Sequence, residues 1–348
     1  MLTPQRIQQT NKDYALAFAE NINNRFGSTS DSASSPFHPF LFATQSPPAT
    51  QPTRQPLPPK LEYSRPTTSK PRPEDRYTNE CGVVNGGNQI QELIYNGLSY
   101  ERGQIPWLVA IFKTKLKGLE FICGGTLVSD RHVVTAAHCK QIRTTTTINR
   151  DFVVKVGVHD LTDWSDDITI TTKIMNATMH ESYRGYESLQ NDIMVLTLSR
   201  RIKFNRFIRP ACLWSANTEL ERVVGDTGVV AGWGDRGDSN MNQLDEPQLV
   251  RIPIVSTKEC RASNTAFHSI TYNTTFCAGD RRGAGPCSGD SGGGLYLLEG
   301  GKWRLRGVVS LSLRNDNLSC NLNEYVVFTD AAQYLPWIRN ILSQKYFD

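Results

Sequence analysis

A serine held between glycines is the residue of this chain whose setting best suits nucleophilic chemistry. It lies in Gly289-Asp290-Ser291-Gly292-Gly293, where the glycines allow a tight turn. A serine hydroxyl is a weak nucleophile at neutral pH, so it needs a general base and a third group that orients the base. With both present, the turn predicts acyl transfer at Ser291, with the N–H groups of Gly289 and Ser291 as an oxyanion hole. Without them, Gly-Asp-Ser-Gly would be an ordinary turn, because these residue types dominate turns.

A general base and an orienting carboxylate both occur upstream of this serine. One apolar run leads into His138, and a second apolar run follows Asp192. We expect His138 to take the proton of Ser291, and Asp192 to fix the orientation of His138. The order His, Asp, Ser along the chain is the order of the chymotrypsin-like triad.

Further motifs accompany these three residues. In chain order they are Ile105-Pro106-Trp107, Cys123-Gly124-Gly125-Thr126-Leu127, Ala231-Gly232-Trp233-Gly234, Phe276-Cys277-Ala278-Gly279 and Tyr334-Leu335-Pro336-Trp337-Ile338. With them, the region from about Cys81 to the C-terminus resembles the chymotrypsin-like, or trypsin-fold, serine endopeptidases. The resemblance implies an all-β fold of two six-stranded antiparallel β-barrels, with the triad in the cleft between them and a C-terminal helix over Tyr334 to Lys345. It also implies that Ser310 supports Asp192.

The composition of the chain changes near residue 81. Residues 1–80 contain 12 of the 18 prolines and no cysteine, so they cannot bury a core. From residue 81 onward, short runs of β-branched and aromatic residues alternate with Gly, Asn and Asp turns, which favours barrels. We therefore expect a disordered Pro/Ser/Thr-rich linker or pro-segment over residues 1–80. A disulfide-tethered activation segment over 81–93 and a chymotrypsin-like protease domain over 94–348 would follow it.

Eight cysteines, an even number, indicate a disulfide framework if the chain is extracellular. Their spacing alone leaves the pairing open. The family resemblance implies the pairs Cys123 with Cys139, Cys260 with Cys277, Cys287 with Cys320 and Cys81 with Cys212. The last pair would keep the upstream segment attached to the protease domain. A cytosolic chain with reduced thiols fits the protease motifs poorly, so we expect a secreted protein.

The amino-terminal residues contain no apolar signal-peptide core. We therefore expect this sequence to lack the true amino terminus of the protein. No stretch is long enough to span a membrane, and the net charge of +4 is diffuse, which disfavours nucleic acid as a partner. Three sequons, at Asn176, Asn273 and Asn317, are candidate N-glycosylation sites, and we expect them to lie in surface loops if the chain enters the secretory pathway.

The expected mechanism requires no cofactor and no metal ion. Four aspartates nevertheless lie in a loop where some relatives bind calcium, namely Asp160, Asp163, Asp166 and Asp167. We interpret this loop as an acidic surface loop.

A cut upstream of the protease domain is expected to activate the enzyme. In the family, the new amino terminus pairs with the aspartate before the catalytic serine and orders the oxyanion hole. Ile94-Tyr95-Asn96-Gly97 lies at the family's spacing before Pro106-Trp107, so the ammonium of Ile94 would pair with Asp290. The cut would follow Leu93, whereas the usual activators cut after Arg or Lys. A chymotrypsin-like activator, autolysis and an active unprocessed form are the alternatives.

Gly285, Ser312 and Val326 are the residues that the resemblance implies for the specificity pocket. Gly285 takes the position of the pocket floor, six residues before Ser291, where a trypsin-like enzyme has aspartate. Val326 stands where open-pocket members have glycine, so it should narrow the pocket. We expect a small apolar residue at the cut site. Gly294 replaces the proline that commonly follows the serine turn, a change that the turn should tolerate.

The departures from the common pattern indicate one branch of the family. Together with Glu101-Arg102-Gly103-Gln104, they resemble the gastrulation-defective-like arthropod cascade proteases. The expected function is a secreted serine endopeptidase, made as a zymogen, that acts in an extracellular cascade. Its expected partners are a protein substrate such as a downstream zymogen, an activating protease and a serpin-type inhibitor. The alternative is a catalytically silent homologue that binds and aligns other members of such a cascade.

Overall fold

The structure is a computed structural model that describes residues 80–84, 98–116, 118–141, 151–185, 188–235, 243–315 and 319–344. Almost all of the proline-rich segment predicted over residues 1–80 lies outside these ranges, as do Leu93, Ile94 and Asn317. Within the described residues, no helix has the length and apolar character needed to cross a membrane.

The described residues form fourteen strands and four short α-helices. The strands are β1 (Leu98–Ser99), β2 (Leu108–Lys115), β3 (Gly118–Leu127), β4 (His132–Thr135), β5 (Phe152–Val156), β6 (Ile170–Met179), β7 (Met194–Leu198), β8 (Cys212–Leu213), β9 (Thr227–Gly232), β10 (Gln248–Val255), β11 (Thr275–Ala278), β12 (Gly294–Glu299), β13 (Lys302–Ser312) and β14 (Val326–Asp330). The helices are α1 (His138–Gln141), α2 (Thr257–Ser263), α3 (Phe267–Ile270) and α4 (Leu335–Leu342). Leu220–Arg222 and Ala331–Tyr334 are 3₁₀ turns.

The strands close into two antiparallel six-stranded barrels. The first barrel has the strand order β2-β3-β4-β7-β6-β5, and β5 returns to β2 through pairs such as Ile111 with Val154. The second has the order β9-β10-β11-β14-β13-β12, and β12 returns to β9 through Leu295 with Val230. Strand β1 lies beside β10, and β8 runs parallel to β13. The predicted fold class is confirmed.

An aromatic cluster fixes the two barrels against each other. Tyr296 belongs to the second barrel, and its hydroxyl lies 2.8 Å from Thr126 Oγ1 in the first. The ring of Trp107, at the entrance to β2, meets the ring of Tyr296 edge-on with centroids 5.5 Å apart. Because both rings are fully buried, this contact excludes water between the barrels and fixes the cleft where they meet.

The C-terminal helix is shorter than predicted. Helix α4 runs from Leu335 to Leu342 rather than from Tyr334 to Lys345, and a 3₁₀ turn supplies the residues before it. Pro336 lies in its first turn, where its missing N–H is not needed. Leu335, Ile338 and Ile341 form its buried face, which anchors the chain end to the barrels.

Four disulfides join the same cysteine pairs that the resemblance implies, namely Cys81–Cys212, Cys123–Cys139, Cys260–Cys277 and Cys287–Cys320. The first of them fastens residues 80–84 to the second barrel. Main-chain bonds reinforce it, because Gly82 N donates to Pro210 O (2.8 Å) and Gly82 O accepts from Trp303 N (2.9 Å). A side chain at Gly82 would overlap the main chain of Trp303, so only glycine fits there. The upstream segment is therefore held by main-chain bonds as well as by the disulfide.

Gly294, the residue that replaces the common proline, fills a position with no spare volume. A Cβ atom placed on it would lie 2.5 Å from three atoms of the Tyr296 side chain, namely two ring carbons and the hydroxyl oxygen. The tyrosine thus occupies the space that a side chain at this position would need.

We expect Gly294→Ala to lower the free energy of unfolding by about 1–3 kcal/mol, because the Tyr296 ring must move out of its contact with Trp107. Urea unfolding measures the change. Gly285→Ala is the matched control, since its Cβ would meet Leu322 and Val326 at an ordinary 3.8 Å. Equal stability of Gly294→Ala and the native chain would contradict this packing.

Candidate active site

Strand pairing brings His138 and Asp192 together from distant parts of the sequence. Strands β4 and β7 are antiparallel neighbours, and Thr135 at the end of β4 pairs with Met194 at the start of β7. His138 follows β4 by three residues, and Asp192 precedes β7 by two, so both emerge at the same end of the first barrel. Asp192 Oδ2 lies 2.7 Å from His138 Nδ1, and Asp192 Oδ1 accepts from His138 N at 2.9 Å. Because the carboxylate binds the Nδ1 side of the ring, Nε2 is left as the basic nitrogen.

The second barrel completes the environment of Asp192. Ser310 Oγ in β13 donates to Asp192 Oδ2 (2.6 Å), and Thr329 Oγ1 in β14 donates to the main-chain oxygen of Asp192 (2.9 Å). Asp192 is fully buried. Burial by itself would raise the pKa of Asp192, but the charge of His138 and the hydrogen bonds from His138 and Ser310 bring it below its usual range. Asp192 therefore carries a negative charge at neutral pH.

The same pair has the opposite effect on the histidine. Burial would lower the pKa of His138, but the negative charge of Asp192 and the hydrogen bond to it raise that pKa above its ordinary value of 6.5. The pair thus favours the protonated imidazolium, which is the form that a general base reaches during acyl transfer.

The turn that contains Ser291 depends on its glycines. Gly289 and Gly292 both have left-handed backbone conformations, with φ of 101° and 78°. A Cβ on Gly292 would overlap Thr135 Oγ1 and Gly124 O, and Ser291 O itself accepts from Gly124 N at 2.8 Å. The turn is therefore pressed against Thr135, three residues before His138. This packing brings the nucleophile turn to the His138 end of the first barrel.

Within the part of the chain that the structure describes, the two amides predicted to form the oxyanion hole have no acceptor. Among the described residues, neither Gly289 N nor Ser291 N donates a hydrogen bond. The Ser291 side chain is itself only half-buried. Both amides are thus available to an oxygen atom of a bound molecule, as the predicted role requires. The catalytic roles of Ser291, His138 and Asp192 and the oxyanion role of Gly289 remain predictions.

The Asp290 carboxylate enters a pocket that two glycines leave open. Asp290 Oδ1 accepts from Gly234 N (2.8 Å) and Oδ2 from Cys287 N (2.9 Å), and a side chain on Gly232 or Gly234 would overlap this carboxylate. Burial raises the pKa of Asp290 to about 6, Asp235 adds to the rise, and the two N–H donors oppose it. Within the described ranges no cation forms an ion pair with Asp290. Its predicted partner, Ile94, lies outside those ranges.

The three predicted pocket residues lie together, and a fourth joins them. Ser312 pairs with Val326 across β13 and β14, and Ser312 Oγ donates to Pro286 O at 2.9 Å. A Cβ placed on Gly285 would be 3.8 Å from both Val326 Cγ2 and Leu322 Cδ2. Sequence reasoning missed Leu322. The one signal for it is its place two residues after Cys320, where the common family pattern is lost.

Most carboxylates of the acidic loop bond to the protein itself. Asp160 accepts from the N–H and hydroxyl of Thr162, and Asp163 does the same with Ser165. Asp166 forms an ion pair with Arg102. Burial by itself would raise the pKa of Asp166, but the hydrogen bonds from Arg102 and Thr169 outweigh it and lower this pKa below its usual range. These internal bonds agree with the interpretation as a surface loop.

Metal-type ligand atoms gather at two places in the described part of the chain. The first group is Cys123, His138 and Cys139, and the second is Asp235, Cys287 and Cys320. Every cysteine among them is in a disulfide, so no thiolate is present to bind a metal ion.

Two of the three predicted glycosylation sites fall in the described residues. Asn273 is exposed, whereas Asn176 is half-buried in β6 and donates from Nδ2 to Thr178 Oγ1 at 3.1 Å. Modification of Asn176, Asn273 and Asn317 stays a prediction.

Comparison with known proteins agrees with this geometry. Residues 94–338 match the trypsin family. Serine protease gd of Drosophila melanogaster is 34% identical over 271 residues, which cover 69% of this chain and 51% of that protein. Phenoloxidase-activating factor 3 of Holotrichia diomphalia is 29% identical over 75% of this chain and 74% of its own length, and CLIP domain-containing serine protease B4 of Anopheles gambiae is 30% identical over 75% and 72%.

This chain spans about half the length of the Drosophila relative, so the activity of that whole protein is not transferred to it. The match does confirm the resemblance to the gastrulation-defective-like proteases. The family match covers both barrels, the serine turn and the buried His138–Asp192 pair, and the chain therefore belongs to the trypsin family of serine proteases.

Proposed function

We propose that this chain is a secreted serine endopeptidase, made as a zymogen, that hydrolyses peptide bonds of protein substrates in an extracellular cascade. The observation that carries the proposal is the buried Asp192 carboxylate, which bonds to His138 through both Nδ1 and the main-chain N–H. The four disulfides support an oxidising compartment. A downstream zymogen as substrate, an activating protease and a serpin-type inhibitor are the proposed partners.

In the proposed reaction, Ser291 Oγ attacks the substrate carbonyl carbon and its proton passes to His138 Nε2. Asp192 stabilises the resulting imidazolium. The N–H groups of Gly289 and Ser291 stabilise the oxyanion, each contributing roughly 3 kcal/mol to the barrier reduction. The C–N bond then breaks, and the amine leaves with the proton from His138. Water, activated by the same histidine, hydrolyses the acyl-enzyme and regenerates Ser291.

Cleavage between Leu93 and Ile94 is the proposed activation step. Leu98 in β1 pairs with Leu249, which pairs with Ala231, the neighbour of one of the glycines around Asp290. Residues 94–97 can span up to about 14 Å when extended, whereas two strand spacings are about 10 Å. The new ammonium at Ile94 can therefore reach the Asp290 carboxylate. The activator must accept leucine before the cut.

The pocket supports a preference for a small apolar side chain before the scissile bond. Gly285 offers no carboxylate, and the apolar side chains of Leu322 and Val326 lie beside it, each with an atom 3.8 Å from the position of a Cβ on Gly285. An arginine or lysine side chain would find no counter-charge on Gly285 and apolar neighbours beside it.

A catalytically silent binding homologue is the second candidate function. The presence of Leu322 and Val326 beside Gly285 favours it, because a narrow pocket would contribute little to substrate binding. The family fold alone does not distinguish the two functions, since activity depends on the site.

Ser291→Ala is expected to abolish hydrolysis of peptide substrates by the chain cut at Leu93–Ile94, since it removes the only proposed nucleophile. The melting temperature should stay within a few degrees of the native value. Fluorophosphonate labelling, followed by peptide-library profiling, provides the measurement. Native protein that is cut but fails to label would favour the binding homologue, and hydrolysis that survives in Ser291→Ala would exclude Ser291 as the nucleophile.

Val326→Gly, alone or with Leu322→Ala, is expected to enlarge the specificity pocket. The enzyme should then accept large apolar or aromatic side chains before the cut, in addition to small apolar ones. The predicted gain in kcat/KM for a leucine or phenylalanine substrate is roughly 50-fold, from the burial of about three additional methylene groups or their equivalent at ~0.8 kcal/mol each. Kinetics on matched peptides measure it. Val224→Gly, at an exposed valine, is the control. An unchanged preference would mean that Val326 does not close the pocket.

In the uncut chain, Asp290 is expected to make folding less favourable as pH rises from about 4 to 6. Its folded pKa, about 6, exceeds the ordinary 3.8, so the folded state holds a proton that the unfolded state has lost in this interval. The free energy of unfolding should fall by about 1–3 kcal/mol across the interval.

Asp290→Asn should remove this part of the pH dependence, whereas the exposed Asp226→Asn should retain it. Urea unfolding at a series of pH values measures both. Cutting at Leu93–Ile94 should reverse the trend in the native chain, because the Ile94 ammonium favours the charged carboxylate. A pH dependence that is the same in Asp290→Asn as in the native chain contradicts the assignment.

A further inference from the structure

The residue directly before Asp192 has an unusual backbone conformation. Asn191 has a φ of 62°, in the left-handed region, and Arg281 is the one other non-glycine residue in the described ranges with a positive φ. Asparagine tolerates this region better than most residues, although it still favours the right-handed one. Since Asn191 and Asp192 share a peptide bond, this dihedral helps to set the direction in which Asp192 enters the site.

Hydrogen bonds hold Asn191 in this conformation from both ends of its side chain. Its Oδ1 accepts from the Tyr334 hydroxyl at 2.9 Å, and its Nδ2 donates to Ser182 O at 3.2 Å. Its main-chain oxygen accepts from Ile193 N at 2.7 Å, which closes a tight turn around Asp192. The side chain thus links three separate segments of the chain.

The Tyr334 side chain is itself firmly placed. It ends the 3₁₀ turn before helix α4, it is buried, and the ring of His180 packs edge-on against it with centroids 5.2 Å apart. The buried face of α4 anchors the following residues. The hydroxyl of Tyr334 is therefore a fixed point against which the Asn191 amide is held.

We propose that Asn191 is a positioning residue of the site, which, held by Tyr334, aims the Asp192 carboxylate at His138. The proposal rests on the proposed function for its catalytic readout. Asn191 acts through Asp192. Its hydrogen bonds go to Tyr334, Ser182 and Ile193, and none of them goes to His138 or Ser291. The donors on the Asp192 carboxylate, His138 and Ser310, can bond it only if the preceding peptide delivers it to them.

The variant Asn191→Gly separates the side-chain bonds from the backbone conformation. Glycine adopts the left-handed region freely, so the turn can form, but both side-chain bonds are lost. Tyr334→Phe removes one of the two bonds and keeps the ring. Asn205→Gly is the matched control, because the side chain of Asn205 also forms two hydrogen bonds: its Oδ1 accepts from Phe207 N and Ile208 N. The hydrogen-bond partners of Asp192 are instead His138, Ser310 and Thr329.

The first measurement is the NMR titration of His138 in the full chain, assigned with His138→Gln. A misdirected Asp192 stabilises the imidazolium less, so the pKa of His138 should fall by about half a unit or more in Asn191→Gly and by less in Tyr334→Phe. Asn205→Gly should lower the melting temperature and leave the pKa of His138 unchanged. An unchanged pKa in Asn191→Gly would falsify the proposal.

The second measurement is peptide hydrolysis by the cut chain as a function of pH. Asn191→Gly should lower kcat about 10-fold, leave KM within twofold and move the acid limb of the profile to lower pH. A loss of stability with a native kcat and a native acid limb would show a purely structural role and overturn the proposal.

The two proposals fail independently. If the native chain neither labels with fluorophosphonate nor hydrolyses peptides, the proposed function fails, and the His138 titration by itself decides the role of Asn191. If the native chain is active and the titration is the same in Asn191→Gly, the role of Asn191 fails alone.

Discussion

The buried carboxylate of Asp192 is the constraint on which the rest of the structure depends. A charge without access to water is tolerated only when hydrogen bonds and an opposite charge compensate for its lost solvation. Those partners come from both barrels: His138 from the first, and Ser310 and Thr329 from the second. The carboxylate is therefore compensated only after the barrels have met. Assembly of the site thus requires both barrels to be folded and in contact.

A second carboxylate shows the contrast. Asp290 is one residue from the serine, yet its partners are two main-chain N–H groups. Two dipoles do not offset its burial, so its pKa rises to about 6, whereas a full set of partners lowers that of Asp192. Within the described residues, Asp192 therefore has both hydrogen-bond donors and the imidazole of His138 as partners, whereas Asp290 has no cationic partner. That difference is the physical basis of our proposal that a cut at Leu93–Ile94 delivers an ammonium to Asp290.

The glycines follow from the same close approach of segments. Gly232 and Gly234 leave room for the Asp290 carboxylate, and Gly292 lets the serine turn lie against Thr135. Tyr296 similarly fills the space beside Gly294. In each case another side chain takes the volume that a Cβ would need. Glycine in these motifs is therefore required by packing between segments as much as by the backbone angle of the turn.

The sequence by itself determined the residue types at the site and the family. His138, Asp192 and Ser291 stand in motifs specific enough to predict the all-β fold and, through the resemblance, the four cysteine pairs. Those motifs are local, so they can be recognised without knowing what lies opposite them. The sequence also indicated a narrowed pocket through Val326, because that position falls in a family pattern.

Only the tertiary structure decided which other residues complete these sites. Leu322 above Gly285, Thr329 on the main chain of Asp192 and Tyr334 on Asn191 act through contacts across the fold, and the last joins residues 143 positions apart. The residue type of Asn191 permits a left-handed turn, but asparagine still favours the right-handed region, so the sequence alone did not predict this turn. Such contacts depend on which distant segments the fold brings side by side, and the local residue patterns that define motifs and strands do not specify this.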